Sequence, residues 1–328
     1  MILRSSRIRA LAFGLVLTLG AFALAGCAPS PSPSQTPSQS ASQSITPTQT
    51  PSPTPTAAPV EVVASVAVWA EIAKQIGGDA VSVTPIIKSQ FQDPHSYEAT
   101  VRDQLAVNRA QVTIENGAGY DTFFTRMLTT KPSNTSWTRI DVSRVLGSGL
   151  PIRPDTNPHY WYDYAFAKKV ASRIYEVLLA KVPAQSQASV TLNYNKLIQS
   201  IDALTARANA LRQKTVGTKV LLCESFAAFT LDALGLWNVT PTAFTNAVEQ
   251  ETDASPAVMN QIKGLITSHT VKLVILNRQT LGAQTNQISG WAKTSGVPVI
   301  WLSELLPEHT TYTTWMNGVL TQIAGALK

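Results

Sequence analysis

Cysteine and charge are both scarce in this chain. Its 328 residues include two cysteines, and only 14% of the residues are charged. Two cysteines exclude a small disulfide-stapled protein and a Cys-rich zinc fold. The low charge excludes a charge-driven disordered chain, while an apolar share of 44% is enough to build two ordinary cores.

A basic tract is also missing, although the formal net charge is +6. Three of the positive charges, Arg4, Arg7 and Arg9, lie in an N-terminal segment that we expect to be removed. Without them, 23 Lys and Arg residues face 20 Asp and Glu residues, a net charge of +3. The sequence therefore predicts no nucleic-acid binding.

Residues 1–26 have the pattern of a lipoprotein signal peptide. A basic start precedes about 15 apolar residues, from Ala10 to Leu24, too few to span a bilayer comfortably. The tetrapeptide Leu-Ala-Gly-Cys, which ends at Cys27, resembles the lipobox of bacterial lipoproteins. We expect acylation of Cys27 and a lipid anchor on the extracytoplasmic face of the cell membrane, on a Gram-positive type of surface. An ordinary cleaved signal with an incidental cysteine is the alternative.

The next segment is predicted to be a tether. Residues 28–59 contain nine of the 20 prolines, interleaved with Ser, Thr and Gln, and no charged residue. Such a composition buries little apolar surface and stays extended and solvated. Together with Cys27, it gives a tether over residues 27–59 that holds the folded body away from the membrane.

From Val60 onward, short β-branched runs alternate with amphipathic helical stretches. The predicted strands are residues 60–68, 80–87, 111–115, 137–142, 219–223, 271–276 and 297–302. Strands separated by helices favour parallel α/β sheets, and here two separate runs of them occur. We therefore predict an α/β fold with two mainly parallel lobes, residues 60–183 and 215–328.

A continuous helical stripe lies between the two runs of strands. Its apolar residues are four and three positions apart: Val190, Tyr194, Leu197, Ile201, Leu204, Ala208 and Leu211. Pro183 can start such a helix, and Gly217 lies beyond its end. About 28 residues at 1.5 Å each make a rod of roughly 42 Å. We predict one long rigid helix over residues 184–214, packed against both lobes; a plain core helix or a coiled-coil segment is the alternative.

Two of the four histidines share a sequence context. His95 ends an Asp-Pro-His tripeptide and His159 ends an Asn-Pro-His tripeptide, each at a predicted strand-to-helix junction. A preceding proline restrains the backbone, and ligands collect after the carboxyl ends of strands in open α/β sheets. The pair is a candidate ligand site, although a single loop histidine is more often a packing residue.

Three motifs together carry a family resemblance. They are Asp-Pro-His-Ser-Tyr-Glu at 93–98, Glu-Asn-Gly-Ala-Gly-Tyr at 115–120 and Asn-Pro-His-Tyr-Trp at 157–161. In this order they resemble the cluster A-I solute-binding lipoproteins of ABC importers for zinc and manganese. The resemblance covers about residues 60–328 and implies two α/β lobes joined by a long helix, with the metal between them. It also implies an ABC permease and its ATPase as partners, and a monomer that binds its ligand without catalysis.

The resemblance also implies a ligand set. Its first two metal ligands fall on His95 and His159, and the third falls on Glu224. A carboxylate after an apolar strand is costly to bury without a positive partner, although an exposed strand-end residue is the alternative. No carboxylate lies at residues 276–281, where we expect the fourth ligand. The candidates for that position are Asn277, Gln279, Asp253, Glu251 and a water molecule.

Cys223 precedes Glu224 and would point to the opposite face of a strand. We therefore expect Cys223 to be a buried apolar residue rather than a metal ligand. Imidazole and oxygen ligands suit Zn²⁺ and also accept Mn²⁺ or Fe²⁺, so the sequence leaves zinc and manganese open. Because the ligands must be deprotonated, binding should fail as the pH falls through the histidine range.

Enzyme motifs are missing from the sequence. It contains no His-Glu-x-x-His, no Gly-x-Ser-x-Gly and no Gly-rich phosphate-binding loop, which argues against catalysis. Two further alternatives remain. One is a binding protein of the same fold for a chelated metal or an organic ligand, and the other is an adhesin of the cell surface.

Overall fold

The first half of the body builds a parallel sheet. The computed structural model describes residues 58–94, 96–132, 136–145 and 157–328. The strands of this sheet are β1 (Val60–Val66), β2 (Val81–Ile87), β3 (Val112–Glu115) and β4 (Thr138–Asp141), in the order β2-β1-β3-β4. All neighbours are parallel, and Val62 of β1 pairs with Val83 and Val112. Apart from Glu61, β1 is buried, as expected for a parallel strand covered on both faces.

Helices connect and follow these strands. They are α1 (Ala67–Gly77), α2 (Val101–Arg109), α3 (Thr122–Thr129) and α4 (Tyr164–Leu179). The start of α2 is a capping box, in which Thr100 Oγ1 accepts the N–H of Asp103 and the Asp103 carboxylate accepts the N–H of Thr100. Asp163 caps α4 by accepting the N–H of Phe166 at 3.0 Å. The side chains of Thr100 and Asp163 therefore fix where α2 and α4 begin.

The long helix α5 (Ala184–Thr215) joins the two halves. It has 32 residues, which at 1.5 Å per residue span about 48 Å. Asn193 Nδ2 donates to the Ile76 carbonyl at 3.4 Å on the first lobe, and Thr215 Oγ1 donates to the Leu234 carbonyl at 2.6 Å on the second. The stripe residues Val190, Leu197, Ile201, Leu204 and Ala208 are buried, and Tyr194 and Leu211 are half-buried against the same core. The predicted long helix is confirmed, and it ends one residue later than expected.

The second half repeats the parallel arrangement. Its strands are β5 (Lys219–Leu222), β6 (Trp237–Asn238), β7 (Val274–Asn277) and β8 (Val299–Leu302), in the order β6-β5-β7-β8. Its helices are α6 (Ala228–Ala233), α7 (Thr242–Glu249), α8 (Pro256–Thr267), α9 (Ala283–Thr294) and α10 (Tyr312–Ala326). The predicted fold class, two parallel α/β lobes with one long helix, is confirmed.

The last helix returns to the first lobe. At the start of α10, the N–H of Tyr312 donates to Glu71 Oε2 at 3.0 Å, and its hydroxyl donates to the Trp161 carbonyl at 2.8 Å. One hydrophobic cluster accordingly contains residues from both sheets, α5 and α10. Contacts group the described residues into a single unit, so the predicted lobe limits at 183 and 215 stay a prediction.

The sequence misses two short elements and misplaces others by a few residues. The strand β6 has two residues, too few to show a periodicity, and helix α7 buries only Phe244, so it shows no apolar stripe. The first strand ends at Val66 rather than residue 68, and β7 begins and ends later than predicted, so that Asn277 belongs to the strand. Within the described ranges, no helix is long and apolar enough to cross a membrane.

Candidate functional site

Polar side chains of both lobes meet where the strands end. Glu224 lies two residues beyond β5, Asn277 is the last residue of β7, and Glu304 lies two residues beyond β8. His159 belongs to the first lobe, in the segment that leads into α4. The carboxyl edge of an open parallel sheet is a place where ligands bind. Both lobes therefore present side chains to one site.

His159 is buried and its ring is held on one side by Asn157. Asn157 Oδ1 accepts hydrogen bonds from the backbone N–H of His159 at 3.0 Å and from its Nδ1 at 2.7 Å. The amide orientation is set by Asn157 Nδ2, which donates to the Ser225 carbonyl at 2.6 Å. Because an amide oxygen can only accept, Nδ1 carries a proton. Nε2 is then the nitrogen that faces the second lobe, 3.1 Å from Glu304 Oε1.

The motif at residues 115–120 forms a tight turn that supports this histidine segment. The Asp121 carboxylate accepts the N–H groups of Asn116 and Gly117 at 2.6 and 2.9 Å. Gly117 has φ of +76°, and a β-carbon there would lie 2.4 Å from a side-chain oxygen, so only glycine fits. Asn116 Nδ2 then donates to the Pro158 carbonyl at 3.0 Å, directly before the histidine. The motif thus fixes the backbone that presents the imidazole.

Glu304 receives hydrogen bonds from both lobes. Its Oε1 faces His159 Nε2 and accepts the Tyr120 hydroxyl at 2.7 Å, while its Oε2 accepts Asn277 Nδ2 at 2.9 Å. Its backbone N–H donates to Gln279 Oε1 at 2.9 Å. Burial alone would raise the pKa of Glu304, but the charge of His159 and the hydrogen bonds to the carboxylate lower that pKa to about 2. Glu304 is therefore a charged carboxylate at neutral pH.

Glu224 has a different electrostatic environment. It is buried, and its Oε2 accepts a short hydrogen bond from Asn277 Nδ2. Burial and, to a smaller extent, the nearby charge of Glu304 raise the pKa of Glu224 to about 7, against the effect of hydrogen bonds from Thr280 and Asn277. A cation placed beside these two carboxylates would favour the charged form of both.

Two of the predicted ligands, His159 and Glu224, lie in one polar cluster with Asn277 and Glu304. Glu304 contacts the imidazole directly, and Asn277 links Glu304 to Glu224. His95 lies outside the described residues, as does the predicted acylation site at Cys27. The structure therefore places the first-lobe histidine and the second-lobe carboxylate at one site, with Glu304 between them.

The candidates for the fourth ligand lie in different surroundings. Asn277 turns its NH₂ group, a donor, toward the carboxylates. Gln279 uses its Nε2 to contact the Gln90 carbonyl at 2.7 Å and its Oε1 to hold the backbone of Glu304. Asp253 is exposed in the loop before α8. Cys223, in contrast, is buried in the core of the second lobe, and burial raises the pKa of its thiol.

Glu304 is absent from the residues that the sequence predicts for the site, although a signal for it exists. The apolar strand β8 runs directly into Ser303 and Glu304. This is the same pattern, an apolar strand followed by a carboxylate, that indicates Glu224 after β5. The expected position of the fourth ligand, residues 276–281, instead includes the end of β7, the strand that precedes β8 in the chain.

The cluster has metal-binding chemistry but is not arranged as a finished coordination shell. Among the residues that the structure describes, no three His, Cys, Asp or Glu side chains are grouped so that they could hold a metal ion. The amide of Asn277 instead bonds to both carboxylates. One imidazole and two carboxylates are nevertheless ligand types that zinc and manganese sites use.

In this two-lobed α/β fold, an imidazole and carboxylates approach one another across the lobes. This arrangement defines a class of proteins that capture a ligand between two lobes. The family model for ZnuA, described as zinc-uptake complex component A, periplasmic, matches residues 62–326. The chain belongs to this family.

Relatives carry names that agree with this assignment. The metal ABC transporter substrate-binding lipoprotein ScbA of Streptococcus cristatus is 25% identical over 219 residues, which cover 63% of this chain and 67% of that protein. The manganese ABC transporter substrate-binding lipoprotein PsaA of Streptococcus pneumoniae is 25% identical over 217 residues, with the same coverage. Both names describe these relatives as lipoproteins of ABC transporters.

Solved structures share the fold. The periplasmic zinc-binding protein TroA from Treponema pallidum superposes with a TM-score of 0.68 at 18% identity, covering 82% of this chain and 99% of that chain. The substrate-binding protein FpvC from Pseudomonas aeruginosa, in complex with Mn²⁺, has a TM-score of 0.66 at 20% identity, covering 82% and 98%. At these identities the likeness establishes the fold.

Proposed function

We propose that this protein captures a divalent transition metal, Zn²⁺ or Mn²⁺, outside the cytoplasm and delivers it to an ABC permease and its ATPase. The observation that carries the proposal is the approach of His159 Nε2 on one lobe to Glu304 Oε1 on the other, at 3.1 Å. An imidazole nitrogen and a carboxylate oxygen at that separation share a proton, and a metal ion can take the place of that proton.

The proposed ligands are His95 and His159 from the first lobe and Glu224 and Glu304 from the second. Glu304 takes the fourth position because its Oε1 already faces the imidazole. Gln279, an alternative for that position, has both ends of its side-chain amide engaged in hydrogen bonds. Two nitrogens and two carboxylates form a borderline set that zinc binds well and manganese accepts.

Capture in this scheme is an exchange of protons for a cation. Both lobes contribute ligands, so the ion holds the lobes together while it is bound. Metal binding displaces protons from the imidazoles and from Glu224, and no covalent bond of the cargo is made or broken. We therefore assign the protein no enzyme activity.

The N-terminal segment is proposed to anchor the protein to a membrane. Acylation of Cys27 would attach the protein to the extracytoplasmic face of a membrane of the Gram-positive type. The tether of residues 27–59 would hold lobes 60–183 and 215–328, joined by helix 184–214, within reach of the permease. We propose that the protein works there as a monomer.

A chelated metal or an organic ligand needs a cavity, and the geometry of the cluster disfavours it. The side chains of His159, Glu304 and Asn277 are already within hydrogen-bonding distance of one another. A cavity of about 550 Å³ lies elsewhere, lined by residues of β4 and α4. A bare ion therefore fits the cluster better than a bulky molecule.

Thermal unfolding of residues 28–328 tests the proposal. The protein is stripped with a chelator and then heated with Zn²⁺, Mn²⁺, Fe²⁺ or Ca²⁺. Metal at about 1,000 times its dissociation constant adds roughly 4 kcal/mol of stability. For a chain of this size that is a rise in Tm of about 10 °C.

Variants of the proposed ligands sharpen this test. The rise in Tm with Zn²⁺ should disappear in His95→Ala and in Glu304→Gln, and should persist in the control Glu308→Gln, which changes an exposed carboxylate four residues away. A wild-type protein that responds to none of the ions would overturn the proposal and favour an organic ligand. A rise that survives Glu304→Gln would remove Glu304 from the ligand set.

A further inference from the structure

We infer that Asn277 sets the metal preference of the site, because it engages Oε2 of both Glu224 and Glu304, leaves each carboxylate to bind a cation through Oε1, and so favours four-coordinate Zn²⁺ over Mn²⁺. The inference rests on the proposed function, since it concerns the same cluster. It assigns a role to a residue that ligates no metal itself.

The amide of Asn277 engages the same oxygen of both acids. Its Nδ2 donates to Oε2 of Glu224 and, at 2.9 Å, to Oε2 of Glu304. The order of the sheet explains this reach, because β7 lies between β5 and β8, the two strands that precede Glu224 and Glu304. With both Oε2 atoms engaged by Asn277, Oε1 is the oxygen of each carboxylate that Asn277 leaves for a cation. In Glu304, Oε1 faces His159 and also accepts the Tyr120 hydroxyl at 2.7 Å.

The amide is held in this orientation. Asn277 is 1% exposed, and its Oδ1 accepts the N–H of Gln279 at 3.0 Å. If the amide turned over, its oxygen would face two carboxylates and its NH₂ would face a backbone donor. Both contacts would be repulsive, and a buried amide without its partners is costly. Asn277 therefore stays a donor to both acids when a cation arrives.

Restricted carboxylates suit one of the two metals better than the other. Zinc in proteins is usually four-coordinate and tetrahedral. Manganese favours octahedral, oxygen-rich sites, where carboxylates that bind through two oxygens help to fill the shell. Two imidazoles and two single carboxylate oxygens make four ligands. The NH₂ group of Asn277 thus occupies the carboxylate oxygens, Oε2 of Glu224 and of Glu304, that Mn²⁺ would use as additional ligands.

The experiment measures both metals on variants of the full mature chain. Zinc binds more tightly than manganese to almost any nitrogen and oxygen site, so the informative quantity is the ratio of the two dissociation constants, Kd for Mn²⁺ over Kd for Zn²⁺. Competition with a chromogenic chelator gives both values for the wild type, Asn277→Ala and Asn277→Asp. X-ray absorption on the Mn²⁺-loaded proteins reports the number of ligands around the ion.

Asn238→Asp is the matched control. Asn238 also ends a strand of the same sheet, but its Oδ1 accepts backbone N–H groups, from Leu222 at 3.3 Å and Thr240 at 3.1 Å. An aspartate keeps these acceptors and adds the same charge to the same lobe. A change that appears at position 277 and not at 238 does not come from the net charge of the lobe, and the uncharged Asn277→Ala separates it from the charge placed at the site itself.

The ratio should fall by about tenfold or more in both Asn277 variants, the size of effect found for residues that orient metal ligands. The number of ligands around Mn²⁺ should rise in Asn277→Ala, which adds no ligand of its own, and Asn238→Asp should leave the ratio as in the wild type. An unchanged ratio in Asn277→Asp, which retains the acceptor for Gln279, would overturn the inference even if the alanine variant fails to fold. Failure of the wild type to bind either ion is a separate result, which removes the proposed function itself.

Discussion

His159 and Glu304 are 145 residues apart in the chain, and their side chains meet with Nε2 and Oε1 separated by 3.1 Å. Trp161 reinforces this approach, because its Nε1 donates to the Glu304 carbonyl at 2.9 Å. The two lobes are thus in direct polar contact at the proposed site. Neither residue belongs to a regular strand, and both are positioned by the ends of the parallel sheets behind them.

Tyr120→Phe should weaken metal binding without unfolding the protein. The Tyr120 hydroxyl donates to Glu304 Oε1 at 2.7 Å, and its ring packs edge-on against His159 at 5.5 Å between centroids. Phenylalanine keeps the packing and removes the donor that orients the carboxylate. We expect a loss of about 10- to 100-fold in affinity for Zn²⁺, the range found for residues that orient metal ligands, measured by competition with a chelator.

Tyr175→Phe is the control for this prediction. The Tyr175 hydroxyl shares a hydrogen bond of 3.1 Å with Thr191 Oγ1, between α4 and α5. Its loss should leave the affinity unchanged. Equal losses in the two variants would mean that the effect is a general loosening of the first lobe.

Lys131→Met should destabilise the fold and spare the site. Lys131 is buried, and its Nζ donates to the carbonyls of Val107, Asn108 and Ala110 at 2.6, 3.0 and 2.9 Å. These carbonyls belong to the end of α2, where a positive charge is also favourable. Methionine fills the volume but leaves buried acceptors without a donor, at a cost of about 1–3 kcal/mol. Urea denaturation measures the loss.

The control for Lys131 is Lys169→Met, at an exposed position on α4. It should change the free energy of unfolding by less than about 0.5 kcal/mol. Wild-type stability in Lys131→Met would show that water replaces the ammonium group at the three carbonyls.

Glu115 should make the protein less stable as the pH rises from about 4.5 to 7. Its carboxylate is fully buried, and burial raises its pKa to about 7 although Arg139 forms an ion pair with it. The folded chain therefore binds the proton more tightly than the unfolded chain, and stability falls with pH between the two pKa values. Each pKa unit corresponds to about 1.4 kcal/mol, so the contribution is about 3 kcal/mol at most.

Glu115→Gln removes the titrating carboxyl group and with it this pH dependence of stability. The difference in unfolding free energy between Glu115→Gln and the wild type should grow in favour of the variant from pH 5 to 7 and then level off. Urea denaturation at several pH values gives this curve. The exposed Glu308→Gln serves as control, and a difference that shrinks as the pH rises would mean that the ion pair with Arg139 outweighs burial.

Metal binding should change the overall dimensions only slightly. Helix α5 contacts both lobes, with Asn193 bonded to the first and Thr215 to the second. A continuous helix of 32 residues resists bending, so closure is limited to a small tilt. Small-angle scattering with and without Zn²⁺ should give nearly the same radius of gyration, and the clear decrease of a large hinge closure would contradict this prediction.

A variant with a kink in α5 is the comparison for the scattering experiment. Ser200 lies on the exposed face in the middle of α5. Ser200→Pro removes a helical hydrogen bond and should cost about 3 kcal/mol. If α5 limits the motion, the scattering change on adding Zn²⁺ should be larger in this variant than in the wild type.

Much of the architecture could be predicted because it depends on local patterns. The β-branched runs between amphipathic helices specify parallel strands, and the stripe from Val190 to Leu211 specifies the helix that became α5. The two-residue strand β6 and helix α7, which buries only Phe244, left no such pattern. The matched Asp-Pro-His and Asn-Pro-His contexts indicated His95 and His159 as a candidate pair, whereas Glu224 came from the family resemblance.

The sequence by itself determined the two parallel lobes, the long helix and the presence of polar residues at the strand ends. Only the tertiary structure decided that Glu304 meets His159, that Asn277 bonds to Glu224 and Glu304, and that Gln279 Oε1 accepts the backbone N–H of Glu304. The reason is physical. Periodicity reports which face of a strand or helix is buried, whereas contacts between strand ends depend on the lateral order of strands, which places β7 between β5 and β8.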